Sequence, residues 1–242
     1  MIKFFRKIRY DLMEKNKTGN YLKYAFGEII LVIIGILIAL QLNNLNEDRK
    51  TNNIKQTYYQ QILVDIHKEK DYVERNIERL KKSITSYEDY REAIKNPNLT
   101  PIEIIYELDK VSKSFAIFNF KMKSIGALES TGDIKLMPQT IRDKLIDIKL
   151  SQDFIIRQQN INDQQYFNGL TKTFQLGFRR LVNSPENFQG INVNDNMNEI
   201  IITLESALGN KNFTEKDKIE ALSDLLSDLD ELKEMIDEKI KS

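Results

Sequence analysis

The chain has no cysteine and no tryptophan, a single histidine, nine glycines and four prolines in 242 residues. Without cysteine there is no disulfide, no thiolate zinc site, no cysteine nucleophile and no lipid-modified cysteine anchor. The one imidazole, His67, cannot serve the paired Glu-x-x-His motifs of di-iron bundles, and Val64 stands where such a glutamate would be. His67 reads as a surface or boundary residue of a helix. Scarce glycine leaves little material for phosphate-cradling loops, and no Walker loop, G-x-S-x-G, H-E-x-x-H or dinucleotide fingerprint occurs. Charge of one sign is lacking too. Lys+Arg and Asp+Glu both number 36, so no net basic field exists to hold nucleic acid. These absences predict a non-enzymatic protein with no catalytic residues, cofactor or metal.

What the chain does have is one long apolar run. Ile29 to Leu40 holds no polar side chain, and ten of its twelve residues are Ile, Leu or Val. Extended from Tyr24 to Leu42, the segment is nineteen residues with Glu28 and Gln41 as its clearly polar members. At about 1.5 Å per residue it spans roughly 28 Å, close to the ~30 Å hydrocarbon slab of a bilayer. Its Ile, Leu and Val residues contribute on the order of −3 to −6 kcal/mol to insertion. A charge costs about 2.5–3.5 kcal/mol at the bilayer centre and less near the edge, where Glu28 falls, so insertion wins. A cleaved signal peptide fits worse, because a long preamble precedes the run and no A-x-A-like site follows it.

Flanking charge sets the orientation. Residues 1–23 carry Lys3, Arg6, Lys7, Arg9, Lys15, Lys17 and Lys23 against Asp11 and Glu14. The twenty residues after Leu42 carry only Arg49, Lys50 and Lys55. The positive-inside bias keeps the N-terminus in the cytoplasm and sends the remainder across. Phe5, Ile8 and Leu12 share one helical face, so residues 1–23 read as a basic amphipathic segment. In that reading Lys3, Arg6, Lys7 and Arg9 rest on the anionic leaflet; the alternative is a disordered basic tail that only sets topology. Gly35 and Ala39 lie within about 20° of the Glu28 direction on a 3.6-residue helix. This small-xxx-small pair predicts a helix–helix face bearing Glu28, beside the alternative that Glu28 snorkels to the interface.

The opening "MIKFFRKIR" and the anchor "GEIILVIIGILIALQLNNLNE" resemble those of a large domain-of-unknown-function family of Gram-negative bacterial membrane proteins. A looser likeness covers "SIGALESTGDIKLMPQTIRDKLIDI", Ser124 to Ile148. Together the two stretches cover about a third of the chain. Leu45 stands where many members carry Trp, which removes an interfacial aromatic anchor. The resemblance implies an inner-membrane anchor with a periplasmic helical domain, and nothing catalytic.

Beyond the anchor the expectation is all-α: residues 1–23 cytoplasmic, 24–43 a transmembrane helix, 44–242 an antiparallel helical bundle. No proline or glycine interrupts Asn44 to Lys95. There Val73, Ile77, Leu80, Ile84, Tyr87 and Ile94 follow a near 4-3 rhythm. Ile62, Ile66 and Val73 follow a phase nearer 3.6, which argues against one uninterrupted coiled coil. "NPNLTP" ends this helix, and Thr100, Pro101 and Glu103 start the next with a capping box. "SFAIFNFKMK" reads as a loop inserting Phe115, Phe118 and Phe120 into the core. Gly132 is a left-handed cap, and Pro138 opens a segment towards Val182 that Gly169 and Gly177 can bend. "NSPENFQG" is a turn-rich connection, followed by helices at about 195–208 and 215–241. "NVNDNMNE" mimics a calcium loop but has Met197 for the required Gly and Thr203 for the bidentate Glu, so it reads as a loop with Asp195 or Asn196 as helix N-cap. The cluster Asp224, Asp228, Asp230, Glu231 and Glu234 reads as a solvated face. Phe115, Phe118, Phe120, Tyr166, Phe167, Phe174 and Phe178 read as core in preference to a ligand pocket. The functional expectation is a membrane-anchored interaction or scaffold protein with the bilayer, a second copy or a protein as partner. The alternative is a sensor-like domain that binds a small ligand and signals through a partner.

Overall fold

No proline falls between Thr18 and Ala93, and a single α-helix runs the whole distance. The computed structural model describes residues 18–183 and 193–241. Its helices are α1 (Thr18–Ala93), α2 (Pro101–Lys110), α3 (Lys123–Thr131), α4 (Gln139–Gln175), α5 (Phe178–Asn183) and α6 (Met197–Lys241). Short 3-10 turns occupy Asp133–Leu136 and Val193–Asn196, and there is no strand among the described residues. The basic N-terminal segment with Lys3, Arg6, Lys7 and Arg9, and the turn-rich connection from Ser184, lie outside the described residues.

Contacts divide the chain into two units, residues 1–56 and 57–242. In the first, α1 is the one described element, and it is long and apolar enough to cross a membrane. Every large apolar side chain from Ile29 to Leu42 is 41–62% exposed.

The second unit buries apolar side chains in two separate cores. One gathers Ile62, Ile66, Val73 and Leu80 of α1, Phe118 and Met122 of the following segment, Ile141, Leu145 and Ile148 of α4, and Leu222 to Ile236 of α6. The other gathers Tyr90, Ile105, Leu108, Tyr166, Leu170, Phe178, Leu181, Ile200 and Leu204. Ion pairs tie α4 to α6 along its length: Lys144 with Asp228 and Glu231, Asp163 with Lys218, Lys172 with Glu199. Those between α1 and α6 join Lys70 with Asp230, Glu88 with Lys216 and Arg91 with Glu205.

Local chemistry sets the ends of the shorter helices. Pro101 opens α2, and Glu103 Oε2 accepts from the Thr100 N–H at 2.7 Å. Lys113 donates to the carbonyls of Asp109 (2.7 Å) and Leu108 (3.3 Å), where cationic donors suit a helix C-terminus. Gly132 (φ 75°) ends α3 as a left-handed cap, as its position in the sequence predicts. Gly177 (φ 107°) follows the end of α4. Gly169 lies within α4, which continues through it; a Cβ there would lie 2.7 Å from the Ala207 Cβ, so the glycine lets α4 approach α6 closely.

Two expectations need correction. The two terminal helices are one, α6, running through Gly209 and Asn210; glycine inside a helix costs only about 1 kcal/mol, which packing on both sides overrides. Phe115 stays 40% exposed, whereas Phe118 is buried and Phe120 half-buried. The acidic cluster on α6 lies on an exposed face, with Asp228 half-buried, and Asp228, Asp230 and Glu231 each pair with a lysine of another helix.

Candidate functional site

The buried face of α1 repeats in threes and fours: Tyr59, Ile62, Ile66, Glu69, Val73, Asn76, Leu80, Ser83. Three of those positions are polar. Asn76 donates to the Tyr72 carbonyl of its own helix, but Glu69 and the neighbouring polar side chains serve the chain between α2 and α3, which is extended and has no strand neighbour to satisfy its backbone. Ala116, Phe118 and Met122 turn inward there at alternate positions. Their neighbours' backbone groups bond to side chains instead. Tyr72 OH donates to the Ile117 carbonyl (3.0 Å) and accepts from the Asn119 N–H (2.8 Å). Gln159 Oε1 accepts from Phe118 N–H at 2.8 Å. Glu69 accepts from Lys121 N–H at 2.9 Å and from the Gln152 amide at 2.8 Å. Asp65 accepts from Ser124 N–H at 2.7 Å, satisfying a donor of the first turn of α3. Burial pushes the Glu69 pKa above its ordinary value, against the opposing pull of the Lys121 bond.

A second polar group is centred on Lys211 of α6. Its ammonium donates to Glu215 (2.8 Å), to Ser83 Oγ (2.5 Å) and to the Ser112 carbonyl (3.3 Å). The Lys211 side chain is 8% exposed and that of Glu215 4%. All three ammonium protons therefore have acceptors, which a buried lysine requires. The Tyr166 ring lies 5.8 Å from the same nitrogen, and its hydroxyl donates to the Lys113 carbonyl at 3.1 Å. Burial raises the Tyr166 pKa, with the Glu215 charge as a further cause, so the phenol stays neutral. Nearby, Lys218 pairs with Asp163 at 3.2 Å, both largely buried.

A cavity of about 360 Å³ opens on this group. Arg79, Lys82 and Ser83 of α1, Ser112, Ser114 and Phe115 of the extended segment, and Glu215 of α6 line it. Of these the sequence offers only Phe115 as a pocket candidate, within the aromatic set read as core; the polar and charged lining residues carry no such signal. The 3-4 spacing of buried positions, followed through polar as well as apolar letters, is the signal that marks Ser83.

The residues that the sequence does single out lie elsewhere. Gly35 and Ala39 are exposed on α1, and a methyl group added at Gly35 would meet nothing within 4 Å. Glu28 is partly exposed. His67 is exposed, its Nε2 3.8 Å from Asp71. The aromatic set does not converge on one pocket: Phe118 stacks on Phe120 in the first core, Phe174 on Phe178 beside the second, and Phe115 meets Phe167 edge-on at 4.6 Å. No group of three or more His, Asp or Glu residues suited to a metal ion occurs among the described residues.

One surface feature escaped the periodicity. Ile146, Leu150, Phe154 and Ile161 of α4 are 39%, 56%, 50% and 56% exposed. At 100° per residue they fall within about 80° of one another and roughly 170° from the buried face of α4. The helix therefore carries two apolar faces, of which one is covered. No protein-family model, curated protein or solved structure matches the chain.

Proposed function

We propose that the chain is a membrane-anchored, non-enzymatic interaction or scaffold protein. In this reading residues 24–43 span a bacterial inner membrane once with the N-terminus cytoplasmic, and an antiparallel helical bundle stands in the periplasm. The observation that carries it is the uncovered run from Ile29 to Leu42 at the head of a helix whose later turns are buried in a folded core. Apolar side chains left open to water in an unbroken row call for lipid, since about 25 cal/mol is lost per Å² of exposed apolar surface. The pairing order supports the bundle: along α6 from Glu199 to Asp228, partners on α4 descend from Lys172 to Lys144. From Glu205 to Asp230, partners on α1 descend from Arg91 to Lys70. The outer stripe of α4 supports a protein partner, because a helix with two apolar faces is stable when both are covered.

The test is a pair of measurements in membranes. A reporter active only outside the cytoplasm, fused after Ser242, gives signal, and carbonate washing leaves the protein in the pellet. Leu150→Glu with Phe154→Glu then abolishes the crosslinked species of the wild type without lowering the thermal midpoint. A reporter active only in the cytosol, or release by carbonate, rejects the anchor. Crosslinking that the double variant leaves unchanged rejects the α4 surface. The sensor-like reading is favoured by one observation, the cavity beside Arg79 and Lys82.

A further inference from the structure

The interface lysines of α4 and α6 go to carboxylates: Lys144 to Asp228, Lys211 to Glu215, Lys218 to Asp163, Lys216 to Glu88. Arg79 and Lys82 differ. They line the mouth of the 360 Å³ cavity, and neither has a hydrogen-bond or ion-pair partner among the described residues. Three apart on α1, they project from neighbouring positions of one helix face, where like charges repel. Below them Lys211 and Glu215 cancel each other. The cavity therefore carries two uncompensated positive charges.

Its other groups are donors as well. Ser83 Oγ accepts from Lys211, so its own proton is left to donate. The hydroxyls of Ser112 and Ser114 lie 2.7 Å apart; one donates to the other, which leaves one proton for a ligand. A guanidinium, an ammonium and two hydroxyl protons form a donor set, and Glu215, the one carboxylate in the lining, is already held by Lys211. One wall is apolar: the Phe115 ring, held in place by its edge-on contact with Phe167.

We propose that this cavity binds a small organic oxyanion, its carboxylate or phosphate head between Arg79, Lys82 and Ser83 and its compact apolar body against Phe115. The planar fork of arginine suits a two-oxygen head, and the volume admits a body about the size of one aromatic ring. This proposal goes beyond the anchor and scaffold reading and does not depend on it, because every lining residue belongs to the second unit.

The probes are benzoate, phenyl phosphate and the neutral benzyl alcohol, titrated by calorimetry into the full-length protein in a non-ionic detergent. Benzoate or phenyl phosphate binds saturably, and benzyl alcohol binds at least about tenfold more weakly, the effect of losing charge-assisted hydrogen bonds. The tighter of the two anions identifies the head group. Arg79→Gln with Lys82→Gln, both at exposed positions, lowers affinity for that anion by about tenfold or more while the thermal midpoint of the apo protein stays put. Phe115→Ser weakens the aromatic anion and leaves binding of acetate or inorganic phosphate unchanged. The proposal is overturned if neither anion saturates, if benzyl alcohol binds as well as they do, or if the double glutamine variant binds like the wild type.

Discussion

Two stretches of α1 use the same residue types to opposite ends. Between Ile29 and Leu42 the isoleucines and leucines are all about half exposed, whereas Ile62, Ile66, Val73 and Leu80 are 0–2% exposed. Helix propensity does not distinguish them. The difference lies in spacing. In the upstream stretch apolar residues occupy every face, so no single neighbouring helix could cover them. In the downstream stretch they keep to one seam, and charged residues fill the rest. A helix that is apolar all round needs a solvent that is apolar all round, and a helix with one seam needs a partner.

The largest expected effect breaks that comparison by charge. Ile33→Lys with Leu37→Lys places two cations near the middle of the run, at about 2.5–3.5 kcal/mol each, which offsets the whole apolar gain. The protein then appears in the carbonate-soluble fraction with its second unit folded by circular dichroism. Persistence in the membrane fraction would contradict the anchor. A single Ile66→Lys gives the reverse, with membrane attachment kept and cooperative unfolding lost.

The next effect concerns the polar seam. Lys211→Met leaves Glu215 buried without its cation and lowers unfolding stability by about 3–5 kcal/mol in a denaturant titration. Adding Glu215→Leu recovers much of that loss, since the uncompensated charge is gone. If the double variant is no more stable than the single one, the pair is not the source of the effect. Leu229→Ala, in the first core, lowers stability by about 2–5 kcal/mol, while Leu37→Ala leaves the unfolding of the second unit within about 0.5 kcal/mol of wild type.

The helical class, the apolar run, the start of α2 at Pro101 and the stop at Gly132 were legible from short patterns, because each rests on local chemistry. The seam was legible only in part. Glu69, Asn76 and Ser83 occupy positions where a scan for apolar letters finds none, so the regular 3-4 repeat on α1 looks like two phases out of register. Two of them are polar because they serve a distant segment: Glu69 receives the backbone of Lys121, and Ser83 the ammonium of Lys211, whereas the Asn76 amide donates to the Tyr72 carbonyl of its own helix. A requirement set some 50 to 130 residues away leaves no local trace. The break expected after residue 208 is absent for a similar reason: Gly209 lies inside α6, where a Cβ would lie 2.9 Å from the Tyr87 hydroxyl, so packing across the interface explains the glycine. The cavity lining was illegible, since Arg79 and Lys82 look like any exposed helix face until Ser114 and Phe115 are folded onto them.

The subtlest prediction isolates one member of the seam by pH. Burial raises the folded-state pKa of Glu69 from its ordinary value of 4.5, so the folded protein holds that proton more tightly than the unfolded chain does. Stability contributed by this group is therefore greatest below pH 4.5 and falls as pH rises through the folded value. Glu69→Gln removes the titration and keeps the geometry: its carbonyl oxygen accepts from Lys121 N–H, and its amide donates to Gln152 once that side chain turns over. Thermal midpoints of variant and wild type, measured side by side, should draw apart in favour of glutamine as pH rises above 4.5 and stop diverging once pH passes the folded value. Other carboxylates titrate in the same range, Glu103 among them with its pKa lowered by the Thr100 hydroxyl and N–H, but they are common to both proteins and cancel in the difference. A gap that grows toward acid instead would mean that the bonds from Lys121 and Gln152 favour the charged form more than burial opposes it. The seam would then stabilise the second unit by ionic attraction, and its contrast with the uncovered apolar stretch would rest on charge as well as on packing.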